Sequence, residues 1–308
     1  CGTLVPTSSR TCLVSKSPKT NTIFESNIGG SFGPELKFAG YDGIMITGKA
    51  KNPVYLRIEN SNVTLEYAGK LVGKGIFETE EWLKNELDAE AKTLAIGPAG
   101  ENLIDFACIG SESYRQMGRG GAGALFGSKN LKAIVCRGTG GVQVNEIGSF
   151  YEKVAEHTED NLLTDDNMWA KTHGTPLLVD VTNEMGIHPT KNFTKGVSAG
   201  RQNLNADAID DVKIGDRSCA SCPMGCGKFT SVNGTQIEGP EYETLCLGGS
   251  NCEINDLETV MKFNRLCDDY GLDTMSTGNI IGLAMDITES ELHDYGIKFG
   301  DTKQFLAL

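Results

Sequence analysis

Three closely spaced cysteines are the residues in this chain best suited to metal chemistry. Within R-S-C-A-S-C-P-M-G-C, residues 217–226, Cys219, Cys222 and Cys226 follow C-x2-C-x3-C spacing. Thiolates are soft anionic ligands, so three of them this close together can bind one iron–sulfur cluster or one zinc ion. A structural zinc site is typically built from two C-x2-C pairs, and this sequence has no second pair. The spacing therefore favours an iron–sulfur cluster, with structural zinc as the alternative.

A glycine-rich segment is the second candidate for ligand binding. Residues 118–123, G-R-G-G-A-G, match the G-x-G-x-x-G pattern, but only residues 124–130 separate them from the next predicted strand. We expect no room there for the helix that a dinucleotide-binding fold needs after its glycines. Arg115 and Arg119 flank the segment, so its backbone N–H groups and two guanidinium groups could bind phosphate. A tight turn with surface arginines explains the same residues equally well.

Two glutamates in the segment G-P-E-Y-E-T could carry acid–base chemistry. On an extended backbone, Glu241 and Glu243 would point to one face because they are two residues apart. Either could act as a general acid or base if partly buried. Two solvated carboxylates are the simpler interpretation. The four histidines lack metal-ligand spacing and are interpreted as structural: His157, His173, His188 and His293.

Composition excludes several classes of protein. The 308 residues carry a formal net charge of -13, which disfavours nucleic acid as a partner because phosphate is neutralised by a basic surface. No apolar run is long enough for a membrane span. Ten unevenly spread cysteines are typical of a reducing compartment, so we expect a cytoplasmic protein. The chain begins at Cys1, within what resembles a domain, and we expect it to be a fragment.

The pattern along the chain predicts an α+β fold with two domains. Glycine-rich turns separate short β-like runs in residues 1–141, whereas helical spacing dominates residues 142–308. The first region is therefore predicted to be β-rich and incomplete at its N-terminus. The second is predicted to be mainly α-helical, to carry the clustered cysteines and to be incomplete at its C-terminus. The predicted strands are residues 41–46, 54–59, 63–67, 93–96, 106–109 and 132–137, and the predicted helices are residues 77–87, 147–161, 175–185 and 256–269.

The last of these helices has recognisable ends. Asn255 and Glu258 have the spacing of a capping box, so we expect them to bond reciprocally at its start. Gly271 can adopt the left-handed conformation that ends a helix. Asp268 and Asp273 would then bracket the helix terminus and its turn.

Ordered motifs along the whole chain resemble the tungsten-containing aldehyde:ferredoxin oxidoreductase family. They include residues 2–6, 26–30, 33–42, 96–102, 118–123, 174–176, 189–193, 239–244 and 268–273, together with the cysteine segment. The resemblance implies an N-terminal domain of two β-sheets that seats the cofactor, covered by largely helical domains. It implies a tungsten or molybdenum ion held by two pterins, magnesium bridging the pterin phosphates, and a [4Fe-4S] cluster.

Individual site residues follow from the same resemblance. It implies that Cys219, Cys222 and Cys226 are cluster ligands and that Glu243 is the catalytic glutamate near the metal. Residues implied to contact the pterins or their phosphates are Arg10, Asn27, Gly29, Arg115, Arg119, Gly120, Asp268, Gly271, Leu272 and Asp273. Carboxylates suit the N–H edge of a pterin, and arginine forks suit its phosphate.

The chain also departs from the family pattern. The family's fourth cluster cysteine and its second pterin aspartate lie in a D-x-x-G-L-C motif beyond residue 308. Some relatives bind iron between subunits through E-x-x-H on the helix before Asp268. Here that helix carries Lys262 and Arg265 instead, so an intersubunit iron site is not expected.

The implied function is oxidation of a small aldehyde to a carboxylic acid, with ferredoxin as the electron acceptor in anaerobic metabolism. A homodimer or larger complex is expected, without nucleic acid or membrane. One alternative is a benzoyl-CoA-reductase-type subunit of the same family. The other is a non-catalytic module that zinc or a cluster stabilises.

Overall fold

The computed structural model describes residues 1–307, which divide into two compact units. The first unit contains Cys1–Leu162 together with Ser218–Pro223 and Asp268–Asp273. The second contains the remainder of the described chain. Two short segments distant in sequence therefore pack with the N-terminal part of the chain. The α+β fold class is confirmed, and the domain boundary at residue 141 stays a prediction.

The first unit is built on two β-sheets. Its strands are β1 (Thr11–Lys16), β2 (Ile23–Ile28), β3 (Val54–Glu59), β4 (Asn62–Tyr67), β5 (Lys92–Ala95), β6 (Ile109–Ser111), β7 (Arg115–Met117) and β8 (Leu131–Arg137). Strands β1 and β2 form an antiparallel pair, and the others form a six-stranded sheet in the order β4-β3-β8-β5-β6-β7. Only β3 and β8 run parallel among its pairs.

Apolar side chains cover both faces of the larger sheet. The helices of the first unit are α1 (Phe32–Phe38), α2 (Ile76–Glu86), α3 (Pro98–Glu101), α4 (Ala122–Ser128) and α5 (Ile147–His157). Strand β8 alternates between two cores, with Ile134 in one and Val135 in the other. Phe32 and Phe126 pack in the first core, and Leu83 of α2 packs in the second. Central position explains why β8 is almost continuously buried.

The second unit combines short helices with a three-stranded sheet. Its helices are α6 (Met168–Thr172), α7 (Leu178–Glu184), α8 (Ala206–Val212), α9 (Tyr242–Thr244), α11 (Thr274–Glu289), α12 (Thr302–Ala307) and most of α10 (Leu257–Tyr270). The antiparallel strands are β9 (Lys213–Arg217), β10 (Gly227–Val232) and β11 (Thr235–Glu238), in the order β11-β10-β9. Among the helices of residues 1–307, none is both long and apolar enough to cross a bilayer.

Most predicted elements are confirmed, and several are wrong. Four strands and the helix at residues 77–87 lie within one residue of their predicted bounds. Residues 41–46 do not form a strand; Tyr41, Ile44 and Ile46 pack against the first core from an unpaired segment. Their alternation therefore reflects packing without a ladder. Strand β6 begins at Ile109, not at Phe106, and the helix at residues 147–161 ends at His157 before a π-helical turn.

The expected absence of a helix after the glycine-rich segment is also wrong. Helix α4 begins at Ala122, inside the segment, with Gly121 as its N-cap at φ +82°. The exclusion of a dinucleotide fold nevertheless stands on topology. In the sheet order, β7 and β8 run in opposite directions, whereas a dinucleotide-binding βαβ unit needs parallel strands.

The start of α10 differs from the predicted capping box. The carboxylate of Asp256 accepts the backbone N–H of Thr259 at 2.9 Å and its hydroxyl at 2.5 Å. Glu258 instead pairs with Lys262, and the Asn255 amide donates to a nearby carbonyl. The N-cap therefore lies one residue later than predicted, because an aspartate at this position can accept the N3 backbone N–H by itself. Gly271 ends the helix at φ +74°, as predicted.

Replacing the observed cap tests this assignment. Asp256→Ala should lower the free energy of unfolding by about 1 kcal/mol, because the first turn of α10 loses its side-chain acceptor. Urea denaturation followed by circular dichroism measures the change, with Asn255→Ala as the matched control. The capping box predicted from sequence would require the opposite order, with Asn255→Ala the more destabilising variant.

Candidate functional site

The segment Asp268–Asp273, which we call the acidic segment, is joined to the main sheet region of the first unit by its backbone. The N–H of Cys108 donates to the carbonyl of Gly271 at 2.9 Å, and the N–H of Asp273 donates to the carbonyl of Phe106 at 3.2 Å. An antiparallel bridge lies between these two bonds. The acidic segment therefore lies beside the residues that lead into β6.

Two glycines allow this close approach. A side chain at Gly97 would place its Cβ 2.3 Å from the carbonyl oxygen of Tyr270. One at Gly75 would lie 2.1 Å from Oδ1 of Asp269. The same Oδ1 accepts the backbone N–H of Phe77 at 3.0 Å, in the first turn of α2, whose own N-cap is a glycine. Asp269 thus supplies the cap that α2 lacks.

The other two carboxylates of the acidic segment meet polar side chains of the sheet region. Oδ1 of Asp268 accepts the Nε2–H of Gln116 at 3.0 Å. Oδ2 of Asp273 lies 3.2 Å from Nη1 of Arg119. Asp268 is 4% exposed and Asp273 6% exposed, whereas the Arg119 side chain is 62% exposed. Each buried carboxylate therefore has a donor, as burial of charge requires.

The cysteine turn, Ser218–Pro223, lies against the loop that follows β2. A Cβ at Gly29 would be 2.7 Å from Sγ of Cys219, so only glycine fits beside that thiol. The N–H of Ala220 donates to the carbonyl of Gly30 at 3.2 Å, and the N–H of Cys222 donates to the carbonyl of Cys219 at 3.1 Å. The turn is thereby closed on itself and tied to the β1–β2 pair.

Gly30 also approaches the β6–β7 turn, residues 112–114. Its φ is +86°, and a Cβ there would lie 2.4 Å from Oε2 of Glu112 and 3.6 Å from Cγ of Arg115. Gly120, at φ +96°, similarly has no room for a side chain beside the ring of Phe24 in β2. The glycines thus bring the ends of β2, β7 and the loop before α4 together.

A buried carboxylate on α2 holds the β6–β7 turn. Glu80 is 1% exposed; it accepts the Thr93 hydroxyl at 2.5 Å and the Ser113 backbone N–H at 2.7 Å. Burial raises the pKa of Glu80. Glu112 and Ser113 both have positive φ, a strained pair for residues with side chains. Helix α2 therefore contacts both the acidic segment and this turn.

The first unit contains most of the residues predicted for a cofactor site. Asn27 lies in β2, and exposed Arg10 immediately precedes Thr11, whose partner across the β1–β2 pair is Ile28. Arg115, Arg119, Gly120 and the acidic segment belong to the same unit. Their roles stay predictions.

The three predicted metal ligands are divided between the units. Cys219 and Cys222 belong to the first and Cys226 to the second. All ten cysteines lie within residues 1–307, and none forms a disulfide. Within that range no three His, Cys, Asp or Glu residues are grouped closely enough to hold a metal ion. The ligand set stays a prediction from residue type and spacing.

Glu243 belongs to the second unit, and the premise that its segment is extended is wrong. Residues 242–244 form the short helix α9, so Glu241 and Glu243 point in different directions. The Glu241 carboxylate accepts the Thr175 hydroxyl in a very short contact. Glu243 is exposed. A fully buried π-helical turn, Leu245–Gly249, follows directly, a backbone feature frequent at functional sites.

A buried polar cluster fixes the start of that turn. The Tyr242 hydroxyl donates to Thr182 Oγ1 at 3.2 Å, and the same oxygen lies 3.0 Å from Nδ1 of fully buried His188. The other ring nitrogen lies 2.9 Å from Ser250 Oγ. Burial raises the pKa of Cys246 to about 12 and lowers that of His188, so both are neutral near pH 7. The cluster therefore lacks a thiolate nucleophile.

Sequence reasoning missed several residues that assemble the first unit. Gln116, Cys108 and Glu80 lie outside every sequence motif, and Asp269 lies within the motif of residues 268–273 but has no role implied by it. Gln116 and Asp269 bond to partners more than 150 residues away in sequence, and Glu80 bonds to Ser113, 33 residues away.

Two family models match consecutive parts of the chain. Residues 1–138 match "Aldehyde ferredoxin oxidoreductase, N-terminal domain", and residues 152–308 match "Aldehyde ferredoxin oxidoreductase, domains 2 & 3".

Individual proteins give a consistent result. The chain is 41% identical to the tungsten-containing aldehyde ferredoxin oxidoreductase of Pyrococcus abyssi, over 98% of the chain and 52% of the relative. It is 30% identical to the aliphatic sulfonate oxidoreductase WOR-like subunit of Pyrococcus furiosus, over 97% of the chain and 52% of that relative. The chain thus spans about half the length of these curated relatives.

A solved structure has the same architecture. The active site complex BamBC of benzoyl coenzyme A reductase with 1,5-dienoyl-CoA contains a chain similar to this one, with a TM-score of 0.83 and 29% identity. The match covers 99% of the present chain and 49% of that chain.

The pKa of Glu80 predicts a pH-dependent stability. The unfolded carboxyl ionises near pH 4.5, while the folded one resists ionisation. The stability it contributes is therefore complete below pH 4.5 and declines as the pH rises through the raised pKa. Glu80→Gln, which cannot ionise, should gain stability relative to the unmodified chain as the pH increases from 4.5 to 8.

Urea denaturation at a series of pH values measures this difference. Exposed Glu81→Gln on the same helix is the matched control and should show a smaller pH dependence. A difference between Glu80→Gln and the unmodified chain that stays constant with pH would contradict the assignment.

Proposed function

Because the chain belongs to the aldehyde ferredoxin oxidoreductase family, we propose that the protein oxidises an aldehyde to a carboxylic acid and passes the electrons to ferredoxin. The family predicted from the sequence motifs is confirmed. The observation that carries the functional proposal is the meeting, in the first unit, of two buried carboxylates with the sheet region. Asp268 there contacts Gln116, and Asp273 contacts Arg119.

We propose that this region seats a tungsten ion held by two pterins, and the residues present fit such a group. A pterin presents N–H donors, which the carboxylates of Asp268 and Asp273 can accept. Its phosphates suit the guanidinium groups of Arg10, Arg115 and Arg119.

Residues between the two aspartates of the acidic segment are also proposed to contact the pterin. Gly271 is left-handed at φ +74°, and its neighbour Leu272 forms the antiparallel bridge with Ala107. Asn27, Gly29 and Gly120 belong to the same unit as these arginines. We propose magnesium as a further component of the bound cofactor, since this ion prefers oxygen ligands such as phosphate.

The metal-pterin group, when bound, would supply the two-electron oxidation. The chain's own contribution is orientation, charge and proton transfer. Aldehyde and water together give the acid, two protons and two electrons. We assign one proton to a carboxylate oxygen of Glu243, whose exposed side chain on α9 is free of the short contact that engages Glu241.

Electron transfer to ferredoxin calls for a redox relay, and we propose Cys219, Cys222 and Cys226 as ligands of a [4Fe-4S] cluster. Their type and spacing support this assignment. The tight turn from Cys219 to Cys222, and the bond of the Ala220 N–H to Gly30, support fixed positions for these two thiols within the first unit.

A second candidate is a benzoyl-CoA-reductase-type subunit, which the similarity to BamBC favours. Activity of the full-length protein with short aldehydes and a viologen dye supports the aldehyde assignment. Absence of aldehyde oxidation, together with activity on an aromatic CoA thioester, supports the benzoyl-CoA-reductase-type assignment. A non-catalytic module would instead contain zinc and no tungsten or pterin.

Glu243→Gln tests the proton-transfer assignment. Turnover of aldehyde should fall about 100-fold or more, because removing a general acid–base group typically costs this much. Tungsten content, measured by plasma mass spectrometry, should not change, since the side chain is not assigned to cofactor retention.

Exposed Glu184→Gln, also in the second unit, is the matched control and should retain full turnover. Retention of full activity by Glu243→Gln would remove this glutamate from the mechanism.

A further inference from the structure

We propose that Gln116 is a positioning residue that orients the carboxylate of Asp268 toward a bound pterin. The inference rests on the proposed function, in which Asp268 accepts hydrogen bonds from pterin N–H groups. It adds a residue that no motif of the sequence marks and that touches the cofactor only through its neighbour.

The Gln116 amide is held on both sides. Its Nε2 donates to Oδ1 of Asp268 at 3.0 Å, and its Oε1 accepts the thiol of Cys108 at 3.0 Å. A carboxylate only accepts hydrogen bonds, so the amide nitrogen must face Asp268 and the amide oxygen must face the thiol. Cys108 is fully buried, which keeps its position fixed. The three side chains therefore form a chain of hydrogen bonds with one orientation.

The sheet leaves space for this arrangement through a glycine. Gln116 in β7 pairs with Gly110 in β6, on the face opposite Met117. A Cβ at Gly110 would lie 2.8 Å from Ile76 and 3.3 Å from Oε1 of Gln116. A larger residue at position 110 would push the amide away from Asp268. The glycine at position 110 therefore leaves space for the Gln116 side chain on this face of the sheet.

Attachment of the acidic segment does not need Gln116. The backbone bonds of Gly271 and Asp273 to the sheet region already join the two, and Asp269 is separately bonded to α2. What the Gln116 amide adds is restriction of the Asp268 carboxylate plane. A terminal carboxylate torsion is broad when unrestrained, so a directed donor can select one orientation. This distinguishes positioning from simple anchoring.

Release of the cofactor from the full-length protein measures the effect. Protein purified without oxygen is incubated at a fixed temperature, and tungsten and pterin remaining per chain are followed by mass spectrometry and by fluorescence after acid oxidation. Gln116→Leu and the size-matched Gln116→Glu should each release both about tenfold faster or more. A hydrogen bond to a charged group contributes roughly this factor.

An exchanged pair separates positioning from anchoring. In Gln116→Glu/Asp268→Asn, the amide and the carboxylate trade places and can bond again, so the thermal midpoint should recover. Release should stay fast because no carboxylate remains at position 268 to face the pterin. Recovery of slow release in this double variant would show that Gln116 only anchors the segment, and would overturn the proposal.

Controls separate this inference from the proposed function. Exposed Gln143→Leu, in the same unit, should release the cofactor at the unmodified rate. Unchanged release by folded Gln116→Leu or Gln116→Glu would overturn the inference alone, and if Gln116→Leu fails to fold, Gln116→Glu decides. Unmodified protein with neither tungsten nor pterin would overturn the proposed function and this inference together.

Discussion

Two backbone hydrogen bonds hold the acidic segment against the sheet region of the first unit: Cys108 N–H to Gly271 and Asp273 N–H to Phe106. Buried N–H and C=O groups must be paired, so these bonds hold the acidic segment at a defined register beside β6. The segment arrives at the end of α10, about 150 residues after the sheet region it joins. This pairing, together with the bond from Phe77 N–H to Asp269, fixes the position of the carboxylates relative to Gln116 and Arg119.

The proposed site combines two kinds of side chain. Asp268 and Asp273 are buried acceptors, and Arg10, Arg115 and Arg119 are donors in the same unit, with Arg119 in contact with Asp273. A ligand with N–H edges and anionic groups matches both kinds of residue, whereas a purely anionic or purely cationic ligand matches only one.

Regular elements of this chain are predictable from sequence, and their assembly is not. Strands β3, β4, β5 and β8 and helix α2 follow from local alternation and periodicity. Residues 41–46 alternate in the same way but lack a partner strand, because an apolar face can be buried by packing alone. The N-cap of α10 is Asp256 and not the predicted Asn255. Both residues have suitable side chains, so only the folded geometry selects between them.

The candidate site shows the same limit. Sequence motifs predict Asp268, Asp273, Arg119 and Gly120, because residue type and spacing are local properties. Gln116 and Asp269 contact partners far away in sequence. Gly110 and Gly75 leave space for these two side chains, and no local pattern predicts that role. The family resemblance supplies expected roles, and only the fold identifies Gln116 as a neighbour of Asp268.

Anomalous diffraction at a tungsten absorption edge, from crystals of the full-length protein grown without oxygen, tests the central claim most directly. The account predicts one strong tungsten peak in the first unit, with pterin N–H groups within hydrogen-bond distance of the Asp268 and Asp273 carboxylates. A tungsten peak remote from the acidic segment, or pterins that leave both carboxylates without contact, would contradict it.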